Sequence, residues 1–555
     1  MDWSTACPDW EDRILGRRSL IPFAPLYPTE AEEGLRVMRE LRIVDAPGSP
    51  TIGESCAQWV LDFAGTVFGA YDPETGSRLI REFFLMVPKK ASKSTIAAAI
   101  MMTLLLRNWR QSAELIVLAP TVEVAQNAFA PARDMVKVDE ELSDLLHVQE
   151  HVRTITHRTT GATLKIVAAD SNTVAGKKAA FVLVDEVHQF GAMANAEGML
   201  REATGGLAAR PEGCVIYLTT QSDQPPAGIF RQKLTYARGV RDGRIEDRQF
   251  LPVIYELPPA VQDEVRRDRR LDPAYFRAVN PNIGYSVDPG YLDREHRKAE
   301  TEGVGSLAGF LAKFANVEVG VALQSDRWAG ADFWEQQSTR LTLADVLTRC
   351  EVIDVGVDGG GLDDLLGLAV LGRERDTGNW LLWARAWAHP SVLERRKSEV
   401  ARFRDFAADG DLVLVDRVGD DVDQVVAIVA QIWESGLLDK IGVDAHGIGG
   451  ILDGLVAAGI PEEHIVGISQ GWKLNGAIKT AERRLAEGAL WHAGAPLMAW
   501  CVGNAKVEPK GNAVSITKQA AGFAKIDPLM AAFNAVTLLS LNPAAVGSWW
   551  EDAAA

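Results

Sequence analysis

Residues 82–95, EFFLMVPKKASKST, decide the fold of the first half of the chain, because a short apolar strand enters a basic loop that opens a helix. The apolar run IAAAIMMTLLL that follows is typical of a buried helix. The N-terminus of a helix carries free N–H groups and the positive end of a dipole, and both attract anions. The sequence therefore predicts a phosphate-binding loop between the strand and the helix.

The predicted ATP-binding loop has a lysine placed for phosphate and hydroxyls placed for magnesium. Its residues are Pro88, Lys89, Lys90, Ala91, Ser92, Lys93, Ser94 and Thr95. Lys93 is expected to reach the terminal phosphates, and Ser94 or Thr95 to hold Mg²⁺. Compared with the pattern GxxxxGK[ST], Val87 and Ser92 replace the two glycines. Taken alone, the loop also fits a surface turn that caps a helix, so a second motif is needed.

The second motif is the apolar strand FVLV, which ends in Asp185 and Glu186 within the same alternation of strands and helices. Asp185 would hold Mg²⁺ through its water shell, and Glu186 would polarise the water that attacks the γ-phosphate. A helix cap is the alternative explanation of an Asp-Glu pair. In combination with the loop, the pair predicts an ATPase site in which Lys93 and Glu186 are catalytic.

The rhythm of strands and helices divides the chain into two folded halves. From Arg81 to about Thr220 apolar strands alternate with helical stretches, which predicts an α/β domain with a mainly parallel sheet. A second pattern starts near Cys350 with three strands in succession and predicts a mixed sheet with flanking helices. The predicted division is an ATPase domain with an N-terminal extension and a helical linker subdomain at 1–330 (linker about 257–348), a second domain at 349–542 and a flexible tail at 543–555.

Three acids of the second half stand where strands end or a helix begins. Asp358 ends the strand VIDVGV, Asp444 ends the strand KIGV, and Asp527 begins the last helix. Carboxylates that meet at one sheet edge can hold two Mg²⁺ or Mn²⁺ ions, which activate water and stabilise the leaving oxygen of a phosphodiester. We therefore predict a nuclease with these three metal ligands as its catalytic residues, and with Asp363 and Asp364 as candidates for a further contact. Ordinary turn and cap residues are the alternative, since the chain has 75 acidic residues.

Composition limits the partners that the chain can have. With 47% hydrophobic and 24% charged residues it has the composition of an ordinary globular protein. The net charge of −17 opposes nucleic-acid binding, although clusters such as Arg395, Arg396 and Lys397 can still form a basic lane. Five widely spaced cysteines favour a reducing interior. We expect a cytoplasmic protein, because we find neither an apolar run of membrane-spanning length nor the basic start of a signal peptide.

Taken together, these segments resemble the large terminase subunits of tailed phages, which drive DNA into procapsids and cut it into genome lengths. The resemblance to the family's ATPase half lies in three segments: the phosphate loop PKKASKST, the acid strand FVLVDEVHQF and the coupling strand YLTTQ. The resemblance implies that Thr219 and Thr220 sense the γ-phosphate. The resemblance to the family's nuclease half lies in the acidic segments VGVDGGGLDDLLGLAV, KIGVDAHG and AKIDPLMAAFNAV. The resemblance implies an α/β chain with a P-loop ATPase domain, followed by an RNase H-like nuclease domain that uses Asp358, Asp444 and Asp527.

Cofactors and partners follow from the same resemblance. ATP with Mg²⁺ is expected in the first site, and two divalent ions, Mg²⁺ or Mn²⁺, in the second. The expected partners are double-stranded DNA, the portal protein and the small terminase subunit, without a membrane. We expect a homo-oligomeric ring on the procapsid in the host cytoplasm, with the protein absent from the finished virion and the state in solution left open between monomer and ring.

The sequence leaves open one residue of the motor, and it also leaves two alternative functions. A neighbouring subunit of the ring is expected to supply an arginine, with Arg133, Arg153 and Arg158 as candidates. Two other functions also fit some of the motifs. A helicase-nuclease of DNA repair would need a second motor core, which we do not find in the sequence. A scaffold that binds DNA or nucleotide without turnover is favoured by Ser92 and by the acidic net charge.

Overall fold

Two large sheets, each covered by helices, organise the chain into one unit at 1–319 and another at 320–555. The structure is a computed structural model that describes residues 3–169, 179–268, 271–319, 328–444, 449–511, 513–518 and 525–545. The predicted flexible tail therefore lies outside the described residues from position 546 onward.

The sheet of the first unit is mainly parallel, which confirms the predicted α/β fold. Its strands are β1 Tyr71–Asp72, β2 Ser77–Arg78, β3 Glu82–Met86, β4 Glu114–Ala119, β5 Leu146–Gln149, β6 Thr154–His157, β7 Thr163–Ala168, β8 Ala179–Val184, β9 Cys214–Thr219 and β10 Phe250–Ile254. The order is β10-β3-β9-β8-β4-β7-β6-β5, parallel from β10 to β7 and antiparallel beyond, with β1 and β2 paired separately. Because helices cover a parallel sheet on both faces, β8 and β9 are buried at every position.

The helices of the first unit include the one that follows the phosphate loop. They are α1 Trp10–Leu15, α2 Pro28–Glu40, α3 Ile52–Ser55, α4 Gln58–Phe68, α5 Lys93–Leu106, α6 Val122–Lys137, α7 Glu140–Leu145, α8 Val187–Phe190, α9 Ala196–Gly205, α10 Gly228–Arg241, α11 Pro259–Asp268, α12 Pro273–Val279, α13 Pro289–Glu302 and α14 Val304–Ala315. Helix α5 is apolar on nearly all sides because it is buried against the sheet and its neighbours. We call α11–α14 the helical segment, and it forms the charge-rich stretch seen in the sequence.

The second unit has the mixed sheet that its sequence pattern predicts. Its strands are β11 Cys350–Gly359, β12 Leu366–Glu374, β13 Trp380–Ala388, β14 Leu412–Leu414, β15 Leu438–Asp444, β16 Ile465–Ile468, β17 Leu490–His492, β18 Ala505–Lys510 and β19 Ala513–Lys518. The order is β14-β13-β12-β11-β15-β16, and β17 also pairs with β13. The first three strands form an antiparallel meander, and β15 joins β11 in parallel. The carboxyl ends of β11 and β15 therefore lie side by side.

The last helix of the second unit covers one face of this sheet. The helices are α15 Ala331–Trp334, α16 Leu343–Arg349, α17 Ser391–Arg395, α18 Val400–Asp409, α19 Asp420–Glu434, α20 Gly449–Ala457, α21 Asn475–Ala486, α22 Pro496–Asn504 and α23 Asp527–Leu539. The sequence from about Ser391 to Ala407 predicts one helix, whereas the structure has two there, α17 and α18. Helix α23 packs on β11, β12 and β15, the three strands at the centre of the sheet.

Two further observations concern the cysteines and the length of the apolar helices. All five cysteines are free thiols, and four of them are buried. Across the described ranges, no helix combines the length and the apolar character that crossing a bilayer requires.

Candidate nucleotide and nuclease sites

The strand order of the first unit brings the motifs of the predicted nucleotide site to one sheet edge. Strand β9 lies between β3, which leads into the phosphate loop, and β8, which ends at Asp185. All three strands are parallel, so their carboxyl ends share an edge. In open α/β sheets ligands bind outside this edge. Thr219 and Thr220, at the end of β9, stand between the loop and the acid pair.

The phosphate loop reaches a glycine-like backbone conformation without glycine. Lys90 and Ser92 both have positive φ angles, 74° and 57°. Such left-handed residues turn successive N–H groups toward one side, which makes an anion-binding concavity. Ser92 is also the residue before α5, and its carbonyl accepts the N–H of Ile96 at 2.9 Å. The serine therefore takes the conformation for which the usual pattern selects a glycine.

The remaining loop residues divide into buried and exposed positions. Pro88 and Ala91 are buried, whereas Lys89 and Lys90 are exposed. Ser94 and Thr95 lie half-buried in the first turn of α5. The loop thus presents charged side chains to solvent, and hydroxyls at the start of the helix.

Lys93 is the centre of the predicted nucleotide site. Its side chain is only 6% exposed, and its ammonium donates a hydrogen bond of 2.6 Å to Thr220 Oγ1. The same ammonium lies 3.8 Å from Glu186 Oε1. Lysine is almost never buried without partners. The fold therefore brings together three residues that the sequence analysis had assigned to one site, Lys93, Glu186 and Thr220.

The two acids of this site have opposite pKa shifts. Burial raises the pKa of Asp185 to about 7, and the charge of Glu186 adds to the rise while Lys93 opposes it. Burial also opposes the ionisation of Glu186, but the attraction of Lys93 and of His188 prevails and lowers its pKa to about 2. Glu186 is thus the carboxylate that stays charged in the absence of ligands.

His188 has a place in the site that the sequence analysis did not give it. A histidine at this position in the sequence is more often a packing or hydrogen-bonding residue than a catalytic one, and the structure shows its contacts. Its Nδ1 lies 3.3 Å from Glu186 Oε2, and its backbone N–H donates to Thr219 Oγ1 at 3.0 Å. His188 therefore links the acid pair to the coupling strand. Its place two residues after Glu186 was the available signal.

A cavity beside α4 contains the residues that precede the phosphate loop in the sequence. Its volume is about 500 Å³, and Gln58, Trp59 and Tyr255 line it. Trp59 Nε1 donates to Asn282 Oδ1 at 2.8 Å, and the Trp59 ring meets that of Tyr255 edge-on, with 5.6 Å between centroids. The cavity has the aromatic wall and the polar groups that suit a flat heterocycle.

In the second unit, strand register places two of the predicted ligands next to each other. Val357 of β11 pairs with Val443 of β15 in parallel. Asp358 and Asp444 are the next residues on the two strands, so they are neighbours on the same face. Gly356 and Gly442, two residues earlier, are also a pair and lie on that face. The two strand-end acids thus meet by backbone pairing alone.

Helix α23 brings the third acid to this face because glycines let it approach. A methyl group on Gly356 would lie 1.8 Å from the carbonyl oxygen of Ala531, and one on Gly367 would lie 2.8 Å from the carbonyl carbon of Asp527. Gly367 is the partner of Asp358 in the register of β11 and β12. Asp527, the first residue of α23, is 4% exposed. The three acids therefore share one face and one end of the sheet.

A buried lysine beside these acids was missed by the sequence analysis. Lys525 donates to the backbone carbonyl of Asp363 at 3.0 Å and forms an ion pair with Asp364. Asp364, one of the two candidates for a further contact, is thus paired with a cation. The described part of the chain contains no group of three or more His, Cys, Asp or Glu side chains already arranged to hold a metal. Carboxylate oxygens on one face are nevertheless the hard donors that Mg²⁺ and Mn²⁺ prefer.

Fold and sites together define a class of protein: an ATP-hydrolysing unit followed by a nuclease unit. Models of the terminase large subunit match both, the ATPase domain at residues 58–239 and the endonuclease domain at residues 244–541. The chain belongs to the terminase large subunit family. It is therefore an ATPase and endonuclease of phage DNA packaging, and the predicted family, fold and activities are confirmed. The repair helicase-nuclease and the inert scaffold are set aside.

Several solved structures are similar to the chain at low identity. The large terminase of bacteriophage HK97 is 19% identical over 92% of this chain and 99% of that chain, with a TM-score of 0.46. The large terminase of a thermophilic bacteriophage, solved in complex with ADP, is 12% identical over 87% and 99%, with a TM-score of 0.34. The large terminase nuclease of the thermophilic phage G20c with bound magnesium is 15% identical over 34% and 80%, with a TM-score of 0.23. No curated protein matches the chain.

Proposed function

We propose that Lys93, Asp185 and Glu186 carry out the ATP hydrolysis of this terminase. Lys93 binds the terminal phosphates together with the N–H groups of residues 89–95, and Ser94 and Asp185 bind the Mg²⁺ that accompanies ATP. Glu186 stays charged and polarises the water that attacks the γ-phosphate. The observation that carries this proposal is the buried Lys93 ammonium, which lies within 4 Å of both Thr220 and Glu186.

Two further roles in the same site are supported by contacts: the coupling role of Thr219 and Thr220, and the binding of adenine in the cavity beside α4. Thr220 shares a hydrogen bond with Lys93, and Thr219 contacts His188 beside Glu186. We assign the two threonines to sensing the γ-phosphate, because loss of that phosphate changes the partners available to Lys93. The cavity lined by Gln58 and Trp59 is proposed to take the adenine ring.

For the nuclease, we propose that Asp358, Asp444 and Asp527 together hold two divalent metal ions, Mg²⁺ or Mn²⁺. When bound, such ions supply an activated water and stabilise the leaving oxygen of the phosphodiester. The contribution of the chain is to hold three carboxylates on one face, with α23 seated on glycines so that Asp527 reaches the strand ends. Lys525 fixes the turn after β11 through Asp363 and Asp364.

The packaging role sets the proposed partners and the proposed domain limits. We propose that the chain acts on double-stranded DNA as a homo-oligomeric ring on the procapsid, docked on the portal protein and supplied with DNA by the small terminase subunit. The proposed location is the host cytoplasm. The proposed domains are an ATPase domain at 1–330, whose linker reaches about 348, and a nuclease domain at 349–542 followed by a tail.

The nucleotide assignment is tested by Lys93→Ala. Without the ammonium, the charge that develops on the phosphates loses its buried cation, so we expect ATP turnover to fall at least about a hundredfold. DNA cleavage should persist, because the nuclease acids belong to the other unit. Lys298→Ala removes an exposed lysine of α13 and should leave turnover unchanged. Normal hydrolysis by Lys93→Ala would refute the assignment.

The nuclease assignment is tested by Asp358→Ala. We expect metal-dependent cleavage of plasmid DNA to be lost while ATP turnover persists, because one of the three proposed ligands is gone. Asp376→Ala is the matched control, since this exposed aspartate lies in the turn between β12 and β13, away from the acid edge. Unchanged cutting by Asp358→Ala would contradict the proposed ligand set.

A further inference from the structure

Asn316 directly follows the helical segment, and its side chain forms hydrogen bonds with two distant parts of the backbone. It follows α14 in the left-handed conformation, at φ 50° and ψ 30°, and it is fully buried. Asparagine tolerates this conformation better than most residues. Its buried amide needs partners of its own, however, and it finds them in two distant backbone segments.

These two hydrogen bonds place the Asn316 amide across the strand that leads into the phosphate loop. Its Oδ1 accepts from the backbone N–H of Gln221 at 3.0 Å, and its Nδ2 donates to the carbonyl of Tyr255 at 2.7 Å. Gln221 lies just beyond β9 and Tyr255 just beyond β10, the strands on either side of β3. Asn316 therefore fixes the ends of these two strands relative to each other.

The peptide that Asn316 holds belongs to the proposed γ-phosphate sensor. Thr220 accepts from Lys93 Nζ at 2.6 Å and donates to the carbonyl of Val87 at 2.9 Å. Because Thr220 and Gln221 share a planar peptide, a displacement of the Gln221 N–H moves Thr220 as well. The position of the Thr220 hydroxyl relative to Lys93 is thus set from the end of the helical segment.

The same end of the helical segment also contacts the phosphate loop. The backbone N–H of Lys89 donates to the carbonyl of Lys313 at 2.6 Å, and the Lys313 ammonium lies 2.7 Å from Asp223. The N–H groups of such a loop are the groups that phosphates bind. A bound nucleotide therefore competes with the Lys313 carbonyl for Lys89, about one turn before Asn316.

We propose that Asn316 is a positioning residue that couples the γ-phosphate sensor to the helical segment. The inference rests on the proposed nucleotide site and goes beyond it, because it assigns the coupling to one buried amide. Phosphates that engage Lys89 release the end of α14, and Asn316 transmits this change to Thr220. Hydrolysis reaches the helical segment by the same contacts in reverse. Because Asn316 is fully buried and its amide bonds the backbone at Gln221 and Tyr255, we expect its loss to affect turnover more than nucleotide binding.

Asn316→Gly is the direct test, because glycine keeps the left-handed backbone and removes both hydrogen bonds. In the full-length protein we expect kcat for ATP to fall about tenfold and KM to change less than about twofold, as for one misplaced transition-state contact. Hydrogen exchange of residues 289–315 should respond to the ATP analogue ATPγS in the wild type and not in the variant. Asn316→Asp keeps an acceptor for Gln221 but sets a buried carboxylate oxygen against the Tyr255 carbonyl, so we expect its loss of turnover to be at least as large. Asn316→Ser, which removes the amide without adding a charge, replaces the glycine variant if that protein does not fold.

Gln262 offers a matched control for the loss of a bridging amide. It is buried, accepts from the N–H of Glu318 at 3.2 Å and donates to the carbonyl of Leu257 at 2.8 Å. We expect Gln262→Ala to lower stability but to keep kcat and the exchange response. A wild-type kcat and exchange response in Asn316→Gly, or equal losses in Gln262→Ala, would overturn the inference. If Lys93→Ala stays active, the proposed nucleotide site itself is wrong, which is a separate outcome.

Discussion

The nucleotide site and the nuclease edge both gather acids at the carboxyl ends of strands, but the contacts that bring these acids together differ. In the first unit Lys93 lies 3.8 Å from Glu186, so the acid pair has a cation of its own. In the second unit Asp358, Asp444 and Asp527 share one face, and the described residues include no acid group already arranged around a metal position. In the turn after β11, Lys525 forms an ion pair with Asp364.

This difference indicates which contacts stabilise each site in the absence of its ligand. Opposite charges a few ångströms apart attract, so Lys93 and Glu186 keep each other in position without nucleotide. At the nuclease edge, strand pairing and the close approach of α23 to Gly356 and Gly367 bring three carboxylates to one face against their mutual repulsion. We infer that the nucleotide site depends on ion pairs and the nuclease edge on the fit between α23 and the sheet.

The largest effect on this comparison is expected from Gly356→Ala. The new methyl group would lie 1.8 Å from the carbonyl oxygen of Ala531, so α23 has to leave the sheet. We expect the second unit to lose about 3 kcal/mol of unfolding free energy and DNA cleavage to disappear. ATP turnover by the first unit should remain. Hydrogen exchange of β11 and α23, together with both activity assays, measures this.

A matched substitution controls for the added methyl group. Gly476, in α21, has nothing within 4 Å of the position that a Cβ would take. Gly476→Ala should therefore leave exchange and cleavage unchanged. If Gly356→Ala behaves in the same way, the close approach of α23 does not hold the nuclease edge together.

The next effect concerns the repulsion among the nuclease acids. Asp444→Asn removes one negative charge and keeps the shape of the side chain. We expect the variant to bind Mn²⁺ at least about tenfold more weakly than the wild type, as measured by titration with Mn²⁺. Metal-free β11 and β15 should exchange no faster than in the wild type, because a repulsion has been relieved. Faster exchange in the metal-free variant would mean that the Asp444 charge stabilises the edge instead.

The sequence predicts the parts of both sites that local motifs carry. Lys93 follows from one loop, Glu186 from one strand end, and Asp358 and Asp444 from the ends of apolar strands. The mainly parallel and mixed sheets follow from the spacing of those strands. These features depend on residues close together in the chain, where strand and helix periodicity are strongest.

What the sequence does not predict depends on contacts between distant segments. Asn316 meets Gln221 across 95 positions, and Lys525 meets Asp364 across 161. Asparagine and lysine at such places follow no periodic pattern. Element ends are also hard to predict: the apolar run IAAAIMMTLLL predicts a helix from about Thr95, but α5 begins at Lys93, directly after Ser92 in the left-handed conformation. Positive φ at a serine is uncommon enough that sequence alone does not predict it.

A smaller effect is expected from Asp354, a buried acid of β11 that is not one of the three proposed metal ligands. Burial, and then the charge of Asp439, raise the pKa of Asp354 to about 8, against the weaker attraction of Lys440 and Arg373. The folded state therefore keeps this proton longer than the unfolded state, whose ordinary pKa is 3.8. Stability from this group is complete below about pH 4 and is lost as the pH rises through about 8.

Asp354→Asn tests this pH dependence. The amide keeps an oxygen for the N–H of Lys440, which Asp354 Oδ1 accepts at 3.0 Å. We expect the variant to be more stable than the wild type at pH 8, with a difference that grows steadily from pH 4, where it is small. Thermal unfolding at a series of pH values measures the difference. A constant difference across the series would show that the Asp354 carboxyl does not titrate as described.

The smallest expected effect tests whether the phosphate loop needs its serine or only its backbone. Ser92 has φ 57°, a conformation that costs a non-glycine residue about 1–2 kcal/mol. Glycine removes this strain but adds about 0.5–1 kcal/mol of chain entropy to the unfolded state. We therefore expect Ser92→Gly to raise stability by less than about 1 kcal/mol and to leave kcat for ATP unchanged within about twofold. Ser92→Ala, which keeps the strain and lacks the hydroxyl, separates the two contributions. If both variants lose ATP turnover, the Ser92 hydroxyl has a chemical role, and the nucleotide site depends on more than the ion pair and the loop conformation.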